Sequence, residues 1–377
     1  MPTGGGSGLR VPPHLLPADG RFGCGPSKIP APALQALMVA APTLLGTSHR
    51  QAPVKQLVQR VRDGLRELFG LPDGYEVALG NGGATAFWDV ASLSLIERRS
   101  QHLVFGEFSS KFAEATTQAP FLSDPEVIES PPGTHPWPRP SSEVDAYCLT
   151  HNETSTGVAM PLRRIGGDGQ LVLVDATSAA GGLPVEMAQV DAYYFSPQKC
   201  FASEGGLWVA VLSPAAVERS ERLAATDRWV PASLSLKLAL ENSRQDQTYN
   251  TPAIATVFLL VQQVEWILEH GGLDWAVNRS RSSAELVYDW AESRSWASPF
   301  VTDRAQRSSV VATIDLVDRV PAKQVSSILR ANGVVDIDGY RRLGRNQLRL
   351  GLFPAVDPED VAQLTRSIDW VVEALTD

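Results

Sequence analysis

Two short apolar runs, each leading to an ionisable residue, constrain the fold of this chain most strongly. Residues 171–174 lead directly into Asp175, and residues 193–195 lead through Ser-Pro-Gln to Lys199. Uninterrupted apolar runs of this length are typical of strands that are buried on both faces of a parallel sheet. In such sheets, ligands bind beyond the carboxyl ends of the strands. The two runs therefore predict an aspartate and a lysine at one edge of a buried sheet.

Similar apolar runs alternate with helical patterns along most of the chain. Strand-like runs also precede Gly82, Phe108 and Thr154. The alternation predicts an α/β fold, in which helices cover both faces of a mostly parallel central sheet. Because single cores stop growing at about 250–300 residues, a chain of 377 residues is expected to form two domains. We expect a disordered leader over residues 1–20, a large ligand-binding domain over 21–270 and a smaller α+β domain over 271–377.

Composition limits the classes of partner. The chain has 33 basic and 42 acidic residues, a net charge of −9, and no basic run, which disfavours nucleic acid and anionic membranes. Its three cysteines lie far apart, and its histidines form no common metal motif, so we expect neither disulfides nor a metal site. The longest apolar stretch, residues 253–261, is too short to span a bilayer. These features favour a cytoplasmic protein that binds small molecules.

The pairing of Asp175 with Lys199 suits one kind of chemistry. A lysine amine can hold an aldehyde cofactor as a Schiff base, and an aspartate can keep a pyridinium nitrogen protonated. Once released from the cofactor, Lys199 would be placed to move a proton at the substrate α-carbon. Taken singly, each residue is also typical of an ordinary charge at a strand end. Since buried ionisable groups need partners, we interpret the two together as a catalytic pair.

A glycine-containing turn predicts an anion site. The strand-like residues 76–81 are followed by Gly82, Gly83, Ala84 and Thr85 and then by a helical pattern. A helix N-terminus offers free N–H groups and a favourable dipole to a phosphate. The turn also approaches the dinucleotide fingerprint, although Thr85 stands where Gly or Ala is required. A nicotinamide-dependent oxidoreductase and a tight turn without a ligand are therefore open alternatives.

Seven short motifs, in matching order over about residues 20–375, together resemble a known family. They resemble the phosphoserine aminotransferases, which belong to the class V, fold-type I aminotransferases and depend on pyridoxal 5′-phosphate. The aspartate and lysine are shared by the whole superfamily, whereas the Ser-His-Arg, Asn-Glu-Thr and Gln-Lys elements are more specific. The motifs are Gly25-Pro26-Ser27, Ser48-His49-Arg50, Gly82-Gly83-Ala84-Thr85, Asn152-Glu153-Thr154, residues 174–178, Ser196-Pro197-Gln198-Lys199 and Asn250-Thr251-Pro252.

The resemblance implies a cofactor role for each matching residue. Lys199 would form the internal aldimine, and Asp175 would bond the pyridine nitrogen. Phe108 would stack on the pyridine ring, where tryptophan is frequent in the family, and Thr154 would bond the ring oxygen.

The cofactor phosphate would be held by Ala84, Thr85 and Gln198, together with Asn250 and Thr251 from the other subunit of a homodimer. Thr251 followed by Pro252 also predicts a capped helix start, which would suit an anion.

The resemblance also implies a reaction. The amino group of L-glutamate would pass to 3-phosphohydroxypyruvate in a ping-pong cycle, giving 2-oxoglutarate and O-phospho-L-serine for L-serine biosynthesis. The phosphohydroxythreonine step of pyridoxal biosynthesis would be an additional reaction. Arg349 would clamp the substrate α-carboxylate. The substrate phosphate or distal carboxylate would be held by His49, Arg50 and one of Arg341 and Arg342, of which we favour Arg342.

Other members of the superfamily are rival interpretations. An alanine–glyoxylate type aminotransferase would need no phosphate-binding residues. A cysteine desulfurase is disfavoured, since no cysteine follows Cys200. A non-catalytic relative of the fold is disfavoured by the presence of both Asp175 and Lys199.

Overall fold

The computed structural model describes residues 8–376. Within that range the chain forms ten α-helices and twelve β-strands. The helices are α1 (Ala31–Leu44), α2 (Ala52–Leu68), α3 (Gly83–Ser94), α4 (Glu107–Thr117), α5 (Pro214–Ala224), α6 (Leu236–Ser243), α7 (Ile254–Glu269), α8 (Gly272–Glu292), α9 (Ala322–Ala331) and α10 (Pro358–Thr376). The strands are β1 (Glu76–Asn81), β2 (Ser100–Val104), β3 (Glu126–Glu129), β4 (Ala146–Thr150), β5 (Asn152–Glu153), β6 (Val158–Ala159), β7 (Leu171–Asp175), β8 (Ala192–Phe195), β9 (Leu207–Leu212), β10 (Ala297–Pro299), β11 (Val311–Leu316) and β12 (Gln347–Gly351).

A seven-stranded sheet forms the centre of the molecule, in the order β1-β9-β8-β7-β4-β2-β3. The five strands from β8 to β3 run parallel, whereas β9 pairs antiparallel with both β8 and β1. In the sheet register, Thr150 is opposite Asp175, and Asp175 is opposite Tyr194. The carboxyl ends of β4, β7 and β8 therefore meet at one edge. The predicted α/β fold with a mostly parallel sheet is confirmed.

Side chains of the central strands supply two apolar layers. In β8, Tyr193 and Phe195 belong to the cluster packed against α2 and α7, whereas Ala192 and Tyr194 belong to the cluster packed against α3 and α6. All four side chains are fully buried. This alternation follows from the period of two residues in a strand. Burial on both faces explains why the strand sequences are apolar without interruption.

A second, smaller sheet lies in the C-terminal part of the chain. Strands β10, β11 and β12 pair antiparallel and pack with α8, α9 and α10 around a separate apolar cluster. Helix α8 spans both clusters, since Ala276 near its start packs in the main core and Val287 packs in the C-terminal one. The division of the chain at residue 270 stays a prediction. No helix in residues 8–376 is both long enough and apolar enough to cross a membrane.

The N-terminal segment contradicts the predicted leader where it is described. Val11 is buried in the C-terminal apolar cluster, beside Leu9, Leu15 and Leu16. The backbone is also tied down, because Val11 N–H donates to Asn332 Oδ1 at 3.0 Å and Asn332 Nδ2 donates to the Leu9 carbonyl at 3.0 Å. The expectation of disorder is therefore wrong for residues 9–20, since packing of four apolar side chains offsets the conformational entropy lost when the segment is ordered. Residues 1–7 of the expected leader lie outside the described residues.

Candidate active site

A cavity of about 380 Å³ lies beyond the carboxyl ends of β4, β7 and β8. This is the position at which ligands bind in parallel α/β sheets. Seven of the residues proposed from the sequence line this cavity: Ala84, Thr85, Phe108, Thr154, Asp175, Gln198 and Lys199.

Lys199 is held by a chain of hydrogen bonds at the base of the cavity. Its ammonium Nζ donates to Thr154 Oγ1 at 2.9 Å, and Thr154 Oγ1 donates to Ser178 Oγ at 2.8 Å. Asn152 Nδ2 also donates to Ser178 Oγ at 2.8 Å. The side chain of Lys199 is therefore aimed at the cavity by residues that follow β4 and β7.

The neighbours of Lys199 act on its pKa in opposite directions. Burial lowers the pKa of Lys199, the negative charge of Asp175 raises it, and the positive charge of Arg349 lowers it. The net direction is downward. A lowered pKa favours the neutral amine, which is the form that attacks an aldehyde.

Asp175 is fixed by three donors. Trp88 Nε1 donates to Asp175 Oδ2 at 2.8 Å, and both the N–H and the hydroxyl of Thr177 donate to Asp175 Oδ1, at 2.9 and 2.6 Å. These bonds satisfy the oxygens of a buried carboxyl group. They also fix its orientation, as a carboxylate that must meet one ring nitrogen requires.

The glycine turn also lines the cavity. Gly82 caps α3 in a left-handed conformation, with φ of 115°, and no side chain caps the helix. The first N–H groups of the helix, at Gly83, Ala84 and Thr85, are therefore available to an anion. Gln198, next to Lys199 in sequence, lines the same cavity.

Features of the cavity fit pyridoxal 5′-phosphate. The buried oxygens Asn152 Oδ1 and Gln198 Oε1 have no hydrogen-bond partner among the described residues. A Cβ at Gly25 would lie 2.7 Å from Lys199 Cε, so a glycine is needed for the lysine to reach the site. The Phe108 ring centroid lies 5.2 Å from Lys199 Nζ, which places an aromatic face beside the amine. The donor set thus offers an amine, a carboxylate, a ring face and a helix N-terminus in one cavity.

A second cavity of about 370 Å³ adjoins the first at Gly25 and contains Arg349 and Arg341. Arg349 Nη1 donates to the Thr154 carbonyl at 3.0 Å, while its Nε is buried without a partner in the described chain. The Arg349 guanidinium lies 5.1 Å from the centroid of the Tyr340 ring, which in turn lies 6.2 Å from the Phe108 ring. The arrangement leaves one polar edge of Arg349 free for an anion beside Lys199.

The structure separates the two arginines between which the sequence left a choice. Arg341 lines the second cavity, whereas Arg342 forms an ion pair with Glu107 at the start of α4. Glu107 also pairs with Lys111 at 3.0 Å. In this geometry Arg341, and not the favoured Arg342, faces the cavity that holds Arg349.

Four other predicted site residues lie together outside the cavity. His49 Nδ1 is 3.1 Å from Thr251 Oγ1, and Asn81 Nδ2 donates to Asn250 Oδ1 and to the Thr251 carbonyl. Arg50 Nη1 donates to Gln247 Oε1 at 2.8 Å. The predicted helix cap at Thr251 is wrong, because α7 begins at Ile254 and Ala253 is its N-cap. Thr251 bonds to His49 instead, and its side chain is exposed.

Sequence reasoning missed several residues that support the site. Trp88, Thr177 and Ser178 bond to Asp175 or Thr154, and Tyr340 packs on Arg349. For Trp88 a signal existed, since it follows Ala84 by four residues and a helix brings such residues to one face. The packing of Tyr340 against the Phe108 ring had no local signal, because these two residues are far apart in sequence.

Comparison with known proteins agrees with this geometry. Residues 141–364 match the family described as Aminotransferase class-V. A protein of a Nocardioides species named phosphoserine aminotransferase is 60% identical over 370 residues, covering 97% of this chain and 99% of that protein. The crystal structure of a phosphoserine aminotransferase from Cytophaga hutchinsonii has a TM-score of 0.87 at 26% identity, covering 93% of this chain and 99% of that one. The pyridoxal-phosphate-bound phosphoserine aminotransferase from Trichomonas vaginalis shares the fold, with a TM-score of 0.80 at 18% identity, covering 93% of this chain and 99% of that one.

The family settles one alternative that the sequence left open. A nicotinamide-dependent oxidoreductase is excluded by the family match. The expected cofactor, pyridoxal 5′-phosphate, is the cofactor of the family. The chain belongs to the class V aminotransferases and is a transaminase that depends on pyridoxal phosphate.

Proposed function

We propose that this protein is a phosphoserine transaminase. It transfers the amino group of L-glutamate to 3-phosphohydroxypyruvate, releases 2-oxoglutarate and O-phospho-L-serine, and serves L-serine biosynthesis in the cytoplasm. The observation that carries the proposal is the pair Arg349 and Arg341 in a cavity joined to that of Lys199. A site that accepts doubly anionic substrates needs more than one cation. The 60% identity to a relative named phosphoserine aminotransferase supports the same substrate class.

The proposed catalytic residues are Lys199 and Asp175. Bound pyridoxal phosphate supplies an aldehyde that bonds to amines and a ring that withdraws electrons from the substrate α-carbon. Lys199 holds the proton that leaves and returns at that carbon, acting as general base and then as general acid. Asp175 would bond the ring nitrogen of the bound cofactor, and Trp88 and Thr177 keep its carboxyl group in place.

The proposed binding residues divide between cofactor and substrate. The N–H groups of Ala84 and Thr85 and the amide of Gln198 would hold the cofactor phosphate, Thr154 would orient the ring, and Phe108 would cover one ring face. Arg349 binds the substrate α-carboxylate through a bidentate pair. Arg341 is a better candidate than Arg342 for the distal anion, since Arg342 is paired with Glu107.

The site is completed in our proposal by a second copy of the chain. His49, Asn250 and Thr251 lie outside their own cavity, near Asn81 at the end of β1, and the adjacent Arg50 donates to Gln247. Helix α1, which precedes them, exposes Leu34, Met38 and Val39, the last two at 74% and 85%. Exposed apolar faces of this kind are typical of interfaces. A symmetric dimer would let these four residues contribute to the partner's cofactor and substrate sites.

Substrate specificity tests the proposal directly. Purified protein is supplied with L-glutamate and either 3-phosphohydroxypyruvate or glyoxylate, and the release of 2-oxoglutarate is measured. We expect kcat/KM for 3-phosphohydroxypyruvate to exceed that for glyoxylate by at least about a hundredfold, because two guanidinium groups would bind the phosphate and carboxylate. A preference for glyoxylate would favour the alanine–glyoxylate type of aminotransferase instead. A phosphohydroxythreonine-type substrate in the same assay tests the additional reaction.

The role of Lys199 has its own test. Lys199→Ala should lower turnover with glutamate by at least about a thousandfold, because it removes the general base and acid. It should also abolish the visible absorption that arises when the cofactor aldehyde is joined to the lysine. The matched control is Lys237→Ala, since Lys237 is exposed on α6. Full activity in Lys199→Ala would refute the proposed role.

A further inference from the structure

Glu153 is a fully buried carboxylate that the reaction itself does not use. It lies in β5, between Asn152 and Thr154, and its exposure is 0%. A buried carboxylate is costly unless donors surround it. Five donor groups do so here, and they come from two different segments of the chain.

The first segment is the start of α4. The Phe108 N–H donates to both Glu153 oxygens, at 3.1 and 3.3 Å, and the Ser109 N–H donates to Oε2 at 2.9 Å. The Ser109 hydroxyl also donates to Oε2 at 2.9 Å. These are orphan donors of a helix N-terminus, where negative charge is favoured. Glu153 thus caps α4 in place of Gly106, which has no side chain.

The second segment is the loop that carries Thr154. The N–H and hydroxyl of Ser155 donate to Glu153 Oε1, at 3.2 and 2.7 Å. Ser155 Oγ in turn accepts from the Glu107 N–H at 3.1 Å. The first three N–H groups of α4 are therefore all bonded to residues 153–155. The loop and the helix form one hydrogen-bonded unit.

Gly106 is shaped by the same contact. A Cβ at position 106 would lie 2.3 Å from Glu153 Cγ and 2.5 Å from Glu153 Cδ. The φ of Gly106 is 175°, which any residue adopts. Glycine is needed here for space, because the carboxylate approaches the backbone so closely.

The unit joins the two groups that flank the reacting amine. Thr154 holds Lys199 at 2.9 Å, and the Phe108 ring centroid lies 5.2 Å from Lys199 Nζ. Their backbones meet at Glu153. We propose that Glu153 is a positioning residue that fixes the Phe108 ring relative to Thr154 and Lys199, and so sets the width of the slot that receives the cofactor ring. The proposal rests on the stacking role of Phe108, but not on the identity of the substrate.

The test uses cofactor release, which needs no substrate. Holoenzyme and the variant Glu153→Gln are dialysed to equilibrium against pyridoxal 5′-phosphate, and the dissociation constant is measured. Glutamine keeps the shape of the side chain, but its amide N–H₂ group would face the backbone N–H groups that donate to Glu153. Because two donors cannot bond to each other, the start of α4 should shift. We expect the dissociation constant to rise about tenfold or more and the visible circular dichroism of the bound cofactor to change. An unchanged constant and spectrum would overturn the proposal.

A double-mutant cycle separates positioning from general destabilisation. If Glu153 acts through the Phe108 ring, Glu153→Gln should raise the constant less than about threefold in a Phe108→Ala background, because coupled residues are not additive. Equal factors in both backgrounds would refute the proposal. Phe108→Ala alone must weaken cofactor binding. Wild-type affinity in that variant would show that Phe108 does not stack on the cofactor, and the proposal would then be wrong.

Two further variants complete the design. Glu129→Gln changes an exposed glutamate of β3 and should leave the dissociation constant unchanged. If Glu153→Gln does not fold, Ser109→Ala removes one donor and keeps the carboxylate. Ser109→Ala should raise the constant about threefold in the wild-type background and have no effect beside Phe108→Ala. A Ser109→Ala variant with unaltered affinity would then refute the proposal.

Discussion

Lys199 and Asp175 show how strongly single residues depend on their neighbours. Burial lowers the pKa of Lys199, while the Asp175 carboxylate opposes the shift. Asp175 in turn is held by Trp88 and Thr177. A strand-end lysine and aspartate were visible in the sequence, but the residues that make their charges tolerable were not. Trp88 is therefore the most informative position to change.

Trp88→Phe removes one donor to Asp175 and keeps an aromatic ring. The Oδ2 atom of Asp175 would lose its 2.8 Å bond in a buried setting. We expect a loss of about 1–3 kcal/mol in unfolding free energy and a fall of about tenfold in kcat, measured by urea unfolding and steady-state kinetics. Trp229→Phe is the control, since Trp229 is 79% exposed and should tolerate the change. Unchanged kcat in Trp88→Phe would contradict a role in orienting Asp175.

At the scale of elements, β2 contains a buried titratable group far from the chemistry. His102 is 1% exposed, lies 3.0 Å from Ser100 Oγ through its Nε2, and packs edge-on against Phe112. Burial lowers the pKa of His102 to about 3. In the unfolded chain this imidazole gains a proton near pH 6.5, whereas in the folded chain it stays neutral. The unfolding free energy of the protein should therefore fall in acid.

The expected effect follows from proton linkage. The contribution of His102 is fully present above pH 6.5 and is lost progressively as the pH falls towards about 3. Between pH 7 and pH 5 it should cost about 2 kcal/mol of unfolding free energy. His102→Gln removes the titration, so its decline between these pH values should be smaller than that of the wild type by about this amount, as measured by urea unfolding. Equal declines in the two proteins would contradict the buried, neutral histidine.

Elements were more predictable than their contacts. The strands that end at Asp175 and near Lys199 are uninterrupted apolar runs, which follow from burial on both faces of the sheet. The helix expected to begin at Thr251 begins at Ile254 instead. The side chain of Thr251 bonds to His49, 202 positions away in sequence, and does not cap the helix. Local patterns predict an element well where several successive residues share the same character, and poorly where a single capping residue sets the boundary.

At the scale of the whole molecule, the proposed dimer can be tested by complementation. Lys199→Ala and Arg50→Ala should each be inactive as homodimers. When they are mixed and allowed to exchange subunits, a heterodimer regains one intact site only if Arg50 acts on the partner's lysine. Random exchange should then restore about a quarter of wild-type activity.

The same mixture excludes the simpler arrangement. If Arg50 served its own chain, every site in the heterodimer would carry one defect, and the mixture would remain inactive. The mixing control is Lys199→Ala with Lys199→Ala,Arg50→Ala, which offers no intact site in either arrangement. Activity in that control would point to contamination by wild-type protein.

Local physics within the sequence determined the class of fold and the central chemical pair. Uninterrupted apolar runs in strands must be buried on both faces, and a parallel sheet brings the residues that follow them to one edge. For that reason Asp175 and Lys199 could be placed together before any coordinates, and the family resemblance supplied the cofactor.

Only the tertiary structure decided which distant residues meet. It packed residues 9–16 on the C-terminal cluster, paired Arg342 with Glu107, placed Arg341 and Arg349 on one cavity, and joined Glu153 to the start of α4. Each of these contacts depends on the packing of whole elements rather than on the spacing of neighbours along the chain. Long-range contacts of this kind leave no periodic signal in a single sequence, because either partner would look ordinary on its own.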